Sequence, residues 1–279
     1  MKVTIIGTGL IGGSFALSLK DKQLADIITG TDIIPHHAEK ALQLGLVDEI
    51  KSFDEAVLEA DLVVLAMPVV AIEALLPQVL DLVSHQVVMD MGSTKEAIIN
   101  RVQMHPKRSR FVATHPMWGT EYSGPGAAVH GAFINKAAVV CNREESDEEA
   151  VMMVEGIYRQ IGMHPVYMNA EDHDLHVAYV SHISHITSFA LANTVLEKET
   201  EEDAIFELAS GGFESTVRLA KSNPETWTSI FMQNKENVLD VLNEHLRQLE
   251  KFRECLVNEN VVALKRLMEN ANRIRKIIR

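Results

Sequence analysis

Cysteine is scarce in this chain: only Cys141 and Cys255 occur among 279 residues, one in an apolar run and the other in a helical pattern. Disulfide frameworks and cysteine-based metal sites need several cysteines at characteristic spacings, so the sequence predicts neither. Long apolar runs are also absent, and no stretch approaches the about eighteen residues that span a bilayer. The first apolar run begins at residue 3 without a leader pattern before it. We therefore expect a soluble, cytoplasmic protein with no membrane partner.

Positively charged residues are in the minority. The sequence holds 26 basic and 39 acidic residues, which gives a formal net charge of −13. This balance argues against nucleic acid or an anionic membrane as the main partner, because both are bound through clustered lysine and arginine side chains. An anionic small molecule would need a local cation in its own binding site.

What the chain does contain is a series of short apolar runs that alternate with helical patterns. Unbroken apolar strands are typical of a parallel sheet that is covered by helices on both faces. The predicted fold class is therefore α/β, with a doubly wound, mostly parallel Rossmann-type sheet. The predicted strands span residues 3–6, 27–31, 62–67, 86–91, 110–114 and 136–142, and a last apolar run spans residues 164–169.

The rest of the chain has a helical pattern only. We expect residues 1–170 to form a dinucleotide-binding domain and residues 171–279 to form an all-helical domain for substrate binding and dimerisation. Its first helix is predicted at residues 171–197, and its last two at 236–257 and 261–278. Those last two carry apolar residues at three- and four-residue spacing. Ordinary core explains such a stripe, and a homodimer interface is a second use, so a homodimer is the predicted assembly.

A glycine-rich loop joins the first predicted strand to the first helix. The sequence Gly-x-Gly-x-x-Gly in this position favours dinucleotide binding: Gly7 allows the tight turn, Gly9 lets the backbone approach a pyrophosphate, and Gly12 allows close helix packing. Asp32 ends the second strand, where a carboxylate binds a ribose diol and repels a 2′-phosphate. The next three residues, Ile33, Ile34 and Pro35, include no arginine that could bind a 2′-phosphate, so NAD is predicted rather than NADP. The predicted cofactor-binding residues are Gly7, Thr8, Gly9, Leu10, Ile11, Gly12, Asp32 and Pro68.

Two polar residues follow neighbouring strands at the edge where a doubly wound sheet binds its ligands. Ser93 comes after the run 86–91, and His115 comes after the run 110–114. A neutral imidazole is suited to accept the hydroxyl proton of an alcohol that is oxidised by hydride transfer. From the residues alone, a capping role for His115 and a helix N-cap role for Ser93 stay open.

At this point the sequence resembles the prephenate and arogenate dehydrogenases of tyrosine biosynthesis, over almost its whole length. The segment HPMWGTE (115–121) is the most distinctive of the matching pieces. The others are GTGLIGGS (7–14), DMGSTK (90–95), SHISH (181–185) and GGFESTVRLA (211–220).

The resemblance implies an NAD-dependent oxidative decarboxylation, in which hydride leaves C4 of a cyclohexadienol and the ring carboxylate leaves as CO₂. It implies that His115 forms a hydrogen bond with the C4 hydroxyl and that Ser93 helps to orient both the histidine and the hydroxyl. By the same resemblance, Thr120 and Glu121 line and gate the pocket. Ser181 and His185 lie near the substrate on a helix, and Arg218 holds a carboxylate.

The Arg218 assignment agrees with the charge balance, because a dianionic substrate approaching this acidic chain needs a guanidinium. The sequence departs from the family pattern at Trp118, in the segment 181–185, where many relatives carry a proline, and at Glu214 and Ser215. These departures leave open the choice between prephenate, which we favour, and arogenate. A metal site at His182 and His185 is disfavoured because no third ligand is indicated. The other histidines, such as His173 and His176, are expected at the domain junction.

Two further interpretations remain. A 3-hydroxyacid or 6-phosphogluconate type of dehydrogenase would share the cofactor domain, but it needs a catalytic lysine, and no lysine occurs between Lys136 and Lys198. An NAD(H)-sensing regulator would keep the glycine loop but would not need His115, Ser93 and Arg218 together.

Overall fold

The computed structural model describes residues 1–199 and 206–277. Eight strands form one sheet in the order β3-β2-β1-β4-β5-β6-β7-β8. The strands are β1 (Lys2–Ile6), β2 (Ile27–Thr31), β3 (Glu49–Ile50), β4 (Leu62–Leu65), β5 (Val87–Asp90), β6 (Phe111–Pro116), β7 (Ala137–Cys141) and β8 (His164–Met168). The predicted α/β fold class is confirmed, and the short strand β3 is an addition to it.

The direction of the strands changes between β6 and β7. Strands β1 to β6 run parallel to one another, whereas β7 pairs antiparallel to β6 and parallel to β8. The order reverses at β1, which lies between β2 and β4, and this reversal creates a crevice at the carboxyl ends of the strands. The glycine loop begins at that end of β1.

Strand β6 is longer than the sequence suggested. Its parallel pairing with β5 ends at Val112, but its antiparallel pairing with β7 continues through His115 and Pro116. The prediction that the strand ends before His115 was therefore wrong. The imidazole is fixed on a rigid strand rather than on a turn, at the point where β6 extends past the end of β5.

Helices cover both faces of the sheet, as a doubly wound fold requires. One face packs against α1 (Leu10–Asp21), α2 (Pro35–Gln43) and α6 (Glu148–Gln160). The other packs against α3 (Phe53–Leu58), α4 (Val69–Leu82) and α5 (Glu96–Val102). Alternate residues of each strand enter the two cores: Ile5 joins the first and Ile6 the second. Burying one such side chain contributes roughly 1.5–3 kcal/mol.

The described residues after β8 are helical, apart from turns. They form α7 (Ala170–Val177), a π-helical segment (Ala178–His182), α8 (Ile183–Glu199), α9 (Gly211–Val217), α10 (Pro224–Gln233), α11 (Lys235–Val257) and α12 (Val261–Ala271), with 3₁₀ turns at Phe206–Leu208, Arg218–Lys221 and Asn272–Lys276. The predicted helix at 171–197 is thus interrupted by a π segment. The predicted helix at 261–278 gives way to a 3₁₀ turn, and residue 278 lies outside the described residues.

By packing, the chain divides into two compact units, Met1–Asn234 and Lys235–Arg279. The first unit contains the sheet and the helices to α10, and the second contains α11 and α12, which pack against each other. The predicted boundary between residues 170 and 171 separates a cofactor-binding domain from a substrate-binding and dimerisation domain. It is a boundary of function and not of packing, and it stays a prediction. Within residues 1–199 and 206–277, no helix is both long and apolar enough to cross a membrane.

Candidate active site

The glycine loop leaves space where a dinucleotide would place its phosphates. Gly7 has a φ of +95°, and a Cβ on it would lie 2.5 Å from the carbonyl oxygen of Ala66. A Cβ on Gly12 would lie 2.1 Å from the carbonyl oxygen of Gly7, so neither position admits another residue without movement. A Cβ on Gly9 would meet nothing within 4 Å, so this position faces an open cradle at the start of α1. Such a cradle fits a pyrophosphate at a helix N-terminus.

Asp32 is held in place at the end of β2 by three donors. The backbone nitrogen and the hydroxyl of Thr8 donate to Oδ2 at 2.9 and 3.1 Å, and the backbone nitrogen of Ile34 donates to Oδ1 at 3.0 Å. Thr8 is buried, and its side chain connects the glycine loop to the carboxylate. Pro68 precedes α4 at the carboxyl end of β4, the strand next to β1.

A buried ion pair joins the ends of β5 and β6. Lys95 and Asp90 are both fully buried, and Nζ of Lys95 donates to Oδ2 of Asp90 and, at 2.7 Å, to the carbonyl of Thr114. Asp90 also accepts from the backbone nitrogens of Thr114 and Gly92, each at 2.9 Å. The half-buried Ser93 lies between the two members of the pair in the sequence. Sequence reasoning missed this pair, although two opposite charges around a glycine-serine turn in apolar sequence were visible.

His115 contacts a second histidine. Its Nδ1 lies 2.9 Å from Nε2 of His173 on α7, and Nδ1 of His173 lies 2.7 Å from Oδ1 of Asp174. Asp174 also accepts from the backbone nitrogens of Lys95 at 2.8 Å and Glu96 at 3.0 Å. His173 and Asp174 are buried, and the contact of His173 with His115 was not indicated by the sequence.

Burial keeps the histidines of this region neutral. The pKa of His115 lies well below its ordinary value of 6.5, chiefly because the ring is removed from water, and His173 and Lys95 lower it further. Burial also lowers the pKa of His173 and of His185, and it lowers that of His182 to about 4. A neutral imidazole at the sheet edge can accept a proton near neutral pH.

The helical part supplies a second wall. His185 is buried on α8, where its Nδ1 lies 3.1 Å from the carbonyl oxygen of Ser181 and its ring stacks on Trp227 with centroids 3.3 Å apart. Ser181 is half-buried in the π-helical segment, a distortion that is frequent at functional sites. Trp227 was not predicted, because nothing in the sequence pairs it with residue 185.

Arg218 follows α9 and pairs with the loop after β6. Its Nη1 donates to Oε2 of Glu121 at 2.9 Å, and Arg218 is one of the charges that lower the pKa of His185. Thr120 is exposed, and its hydroxyl accepts from the backbone nitrogen of Tyr122 at 3.3 Å. An open cavity of about 630 Å³ lies beside this loop, lined by Glu121, Tyr122, Ser123, Gly126, Ala127 and Val129. Together these contacts place the predicted substrate residues in the unit that carries His115.

The residues that depart from the family pattern have different surroundings. The Trp118 ring is half-buried and packs edge-on against Phe133 of the core, with centroids 5.4 Å apart. Glu214 is exposed in the first turn of α9. His182 lies 3.2 Å from Nδ2 of Asn234 through its Nδ1. Among the described residues, no group of three or more His, Cys, Asp or Glu is placed to hold a metal ion.

Comparison with known families gives two adjoining matches. Residues 15–167 match the family model described as "Prephenate dehydrogenase, nucleotide-binding domain". Residues 169–270 match the model described as "Prephenate dehydrogenase, dimerization domain". The two matches together include most of the chain.

Individual relatives agree with the family match. The chain is 33% identical to a prephenate dehydrogenase of Bacillus subtilis, over 97% of this chain and 75% of the relative. It is 28% identical to a cyclohexadienyl dehydrogenase of Zymomonas mobilis, over 92% and 89%. Its structure superposes with a TM-score of 0.91 on prephenate dehydrogenase from Aquifex aeolicus in complex with hydroxyphenyl propionate and NAD⁺, at 31% identity over 100% and 98% of the chains. The TM-score to arogenate dehydrogenase from Synechocystis is 0.78, at 28% identity over 99% of both chains.

Proposed function

This chain belongs to the prephenate dehydrogenase family, and from that membership we propose how its residues oxidise and decarboxylate prephenate to 4-hydroxyphenylpyruvate. The chain is an NAD-dependent oxidoreductase. Hydride leaves C4 of the ring, the C4 hydroxyl loses its proton, and the bond to the ring carboxylate breaks with release of CO₂. The electrons of that bond make the ring aromatic, and a proton returns to the oxygen to give the phenol.

His115 is the proposed acceptor of the hydroxyl proton. Its lowered pKa leaves the imidazole unprotonated when substrate arrives, and its position on β6 fixes it at the sheet edge. After CO₂ has left, the imidazolium returns the proton to the phenolate oxygen, so the histidine ends as it began. A positioned base of this kind contributes about 10²- to 10⁴-fold in rate. Ser93, which lies between Asp90 and Lys95 in the sequence, is proposed to orient the hydroxyl beside His115.

The glycine loop is the proposed cofactor site. When bound, NAD⁺ supplies the hydride acceptor. The open space at Gly9 and the amides at the start of α1 suit its pyrophosphate, and the fixed carboxylate of Asp32 suits the adenosine ribose. The residues proposed to line this site are Gly7, Thr8, Gly9, Leu10, Ile11, Gly12, Asp32 and Pro68.

The substrate is proposed to bind between the loop after β6 and the helices from α8 to α10. Arg218 is the proposed partner of a substrate carboxylate, because a guanidinium can bind a carboxylate through two parallel hydrogen bonds. In the free protein the guanidinium of Arg218 is paired with Glu121, and this pair must break before a substrate carboxylate can bind. Thr120, Ser181 and His185 are proposed to complete the pocket.

The observation that carries the proposal is the position of the His115 imidazole on β6, at the same edge of the sheet at which β1 ends in the glycine loop. The test is to mix purified protein with NAD⁺ and prephenate and to follow NADH, with His115→Asn alongside. We expect turnover by the parental protein and almost none by the variant. Absence of NADH from folded protein that binds NAD⁺ would instead support a nucleotide-sensing role. Comparing kcat/KM for prephenate and arogenate tests the substrate choice, and a large preference for arogenate would overturn it.

We also propose that residues 171–279 form a substrate and dimerisation domain and that the protein is a cytoplasmic homodimer. The matched dimerization-domain model and the exposed leucines of α11, Leu246, Leu249 and Leu256, support the dimer. The free thiols of Cys141 and Cys255 suit a reducing compartment. Sedimentation should give twice the chain mass of 31.0 kDa, and fractionation of cells should place the protein with cytoplasmic markers.

A further inference from the structure

We propose that His173 and Asp174 are a positioning pair that fixes the tautomer of His115, so that Nε2 of His115 is the atom that accepts the substrate's proton. This inference rests on the proposed function of His115 and adds two residues to it. It comes from a continuous chain of short contacts that runs from the half-buried His115 on β6 to buried groups on α7 and at the start of α5.

The chain of contacts ends at a fixed carboxylate. Asp174 accepts from the backbone nitrogen of Lys95 at Oδ1 and from that of Glu96 at Oδ2. Its own carbonyl accepts from Nδ2 of Asn234 at 2.7 Å. Backbone amides can only donate, so both carboxylate oxygens act as acceptors. The atom of His173 that faces Oδ1 at 2.7 Å, Nδ1, must therefore be the protonated one.

The tautomer of His115 follows from that of His173. A neutral imidazole carries one proton, and the lowered pKa values make both rings neutral near neutral pH. With its proton on Nδ1, His173 offers a lone pair at Nε2, which faces Nδ1 of His115 at 2.9 Å. His115 must then donate from Nδ1, and its Nε2 is left with a lone pair. Each contact therefore allows only one position for the proton of each ring. The result is an unprotonated Nε2 on His115, which is the base that the reaction requires.

The same contacts stabilise the protonated state that follows. When Nε2 of His115 accepts a proton, the imidazolium carries a positive charge in a site with little water and near Lys95, and both conditions destabilise it. The carboxylate of Asp174, reached through the His173 ring, counters that charge as an aspartate does in a catalytic triad. The titratable or charged groups that act on His115 are His173, Lys95 and His182, and those that act on His173 are Asp174, Lys95 and Asp90.

A merely structural role for Asp174 is the alternative, because its carboxylate also joins α7 to the start of α5. The two roles predict different kinetics. Loss of a structural contact lowers stability and weakens every ligand, whereas a wrong tautomer lowers kcat and leaves binding intact. In a serine protease, replacing the triad aspartate by asparagine keeps the geometry and lowers kcat by about 10⁴-fold.

The first experiment compares variants of the full chain. Asp174→Asn removes the negative charge that counters protonated His115, and His173→Leu removes the acceptor of His115; we expect kcat to fall about 10²- to 10⁴-fold for both. KM and the Kd for NAD⁺ should change by less than about threefold, since neither residue is proposed to touch a ligand. His173→Gln, whose carbonyl can still accept from His115, should recover most of kcat. The exposed His176→Leu on the same helix is the matched control and should behave as the parental protein.

The second experiment needs no turnover. The imidazole ¹⁵N shifts of histidine-labelled protein should show His115 protonated at Nδ1 in the parental protein and a mixture of both tautomers in His173→Leu, which lacks the acceptor for Nδ1. A parental His115 protonated at Nε2, or a His173→Leu variant with parental kcat, would overturn the proposal. Failure of the proposed function is a different result: the parental tautomer would be as expected, but prephenate would give no NADH.

Discussion

Arg218 donates from Nη1 to Oε2 of Glu121 across 2.9 Å, so the guanidinium proposed to hold the substrate is already paired with a carboxylate of the protein. Half of the Arg218 side chain is exposed. Exposed ion pairs contribute only about 0–1 kcal/mol, so a substrate carboxylate can replace Glu121 at little cost. The pair therefore holds Arg218 in position for the substrate without blocking it.

Replacing Arg218 by lysine should weaken the substrate and spare the cofactor. A hydrogen bond to a charged group contributes about 1.5–3 kcal/mol, so loss of paired binding should raise KM for prephenate about 10- to 100-fold. The Kd for NAD⁺, measured by fluorescence titration, should stay at the parental value. Glu121→Gln should have the opposite sign and lower KM by up to about fivefold, because it removes a competitor of about 1 kcal/mol. Parental KM in Arg218→Lys would remove Arg218 from the site.

Replacing His115 by asparagine should lower kcat by about 10²- to 10⁴-fold, the usual contribution of a positioned base. Asparagine keeps a polar group of similar size at the strand edge, and we expect the Kd for NAD⁺ and the unfolding midpoint to remain within error of the parental values. Initial rates of NADH formation at saturating substrate give kcat directly. A variant that turns over at half the parental rate would show that another group takes the proton.

The pH dependence of kcat/KM should report the lowered pKa of His115. The base acts only when unprotonated, so activity is retained above its pKa and lost as pH falls through it. Because burial lowers that pKa well below 6.5, the acid limb should lie below about pH 6.5 instead of near an ordinary histidine value. Rates measured between about pH 5 and pH 8 decide this. A half-maximal point above about pH 7 would contradict the burial of the ring.

The cofactor site was the part of the molecule most visible in the sequence. The three glycines act through backbone space, which depends on local geometry, and Asp32 follows at a distance set by one βαβ unit. Ser93 and His115 were placed at the sheet edge because parallel strands end at a common edge. The substrate residues came from resemblance, and their roles are still predictions.

What the sequence could not supply depends on contacts between distant residues. The apolar run that forms β7 carries no signal of direction, so its antiparallel pairing with β6 was not predicted. His173 lies 58 positions from His115, and only the folded chain brings their rings together. Burying Asp90 or Lys95 alone would cost free energy because each charge loses its hydration, so the two must form an ion pair. Their pairing is not apparent until the strands are assembled.

Thr8 should set the affinity for NAD⁺ through Asp32. Its hydroxyl donates to Oδ2 of Asp32 at 3.1 Å, so Thr8→Val removes that bond at nearly constant shape and Thr8→Ser retains it. The net value of such a bond is about 0.5–1.5 kcal/mol, so Thr8→Val should weaken NAD⁺ about two- to tenfold. Asp32→Ala should weaken NAD⁺ more and improve binding of NADP⁺, because it removes the charge that repels a 2′-phosphate. Equal Kd values for NAD⁺ in Thr8→Val and Thr8→Ser would show that the hydroxyl has no such role.

The stability of the protein should fall in acid because His182 is buried in its neutral form. Its folded pKa of about 4 is below the ordinary value of 6.5, and the side chain is almost fully buried. Between these two values the unfolded chain binds a proton that the folded chain does not, so stability is present above about pH 6.5 and is lost as pH falls towards 4. At 1.36 kcal/mol per pKa unit, His182 alone should account for about 3 kcal/mol between about pH 7 and pH 4.

Urea unfolding at both pH values and one protein concentration measures this loss. His182→Phe suits the neighbouring aromatic rings of Trp227 and Phe231 and has no proton to gain, so its stability should fall by about 3 kcal/mol less than that of the parental protein. His176→Phe replaces an exposed histidine on α7 and should lose as much as the parental protein. If His182→Phe and His176→Phe lose equal stability in acid, His182 titrates in the folded state as it does in the unfolded one, and its burial carries no pH dependence.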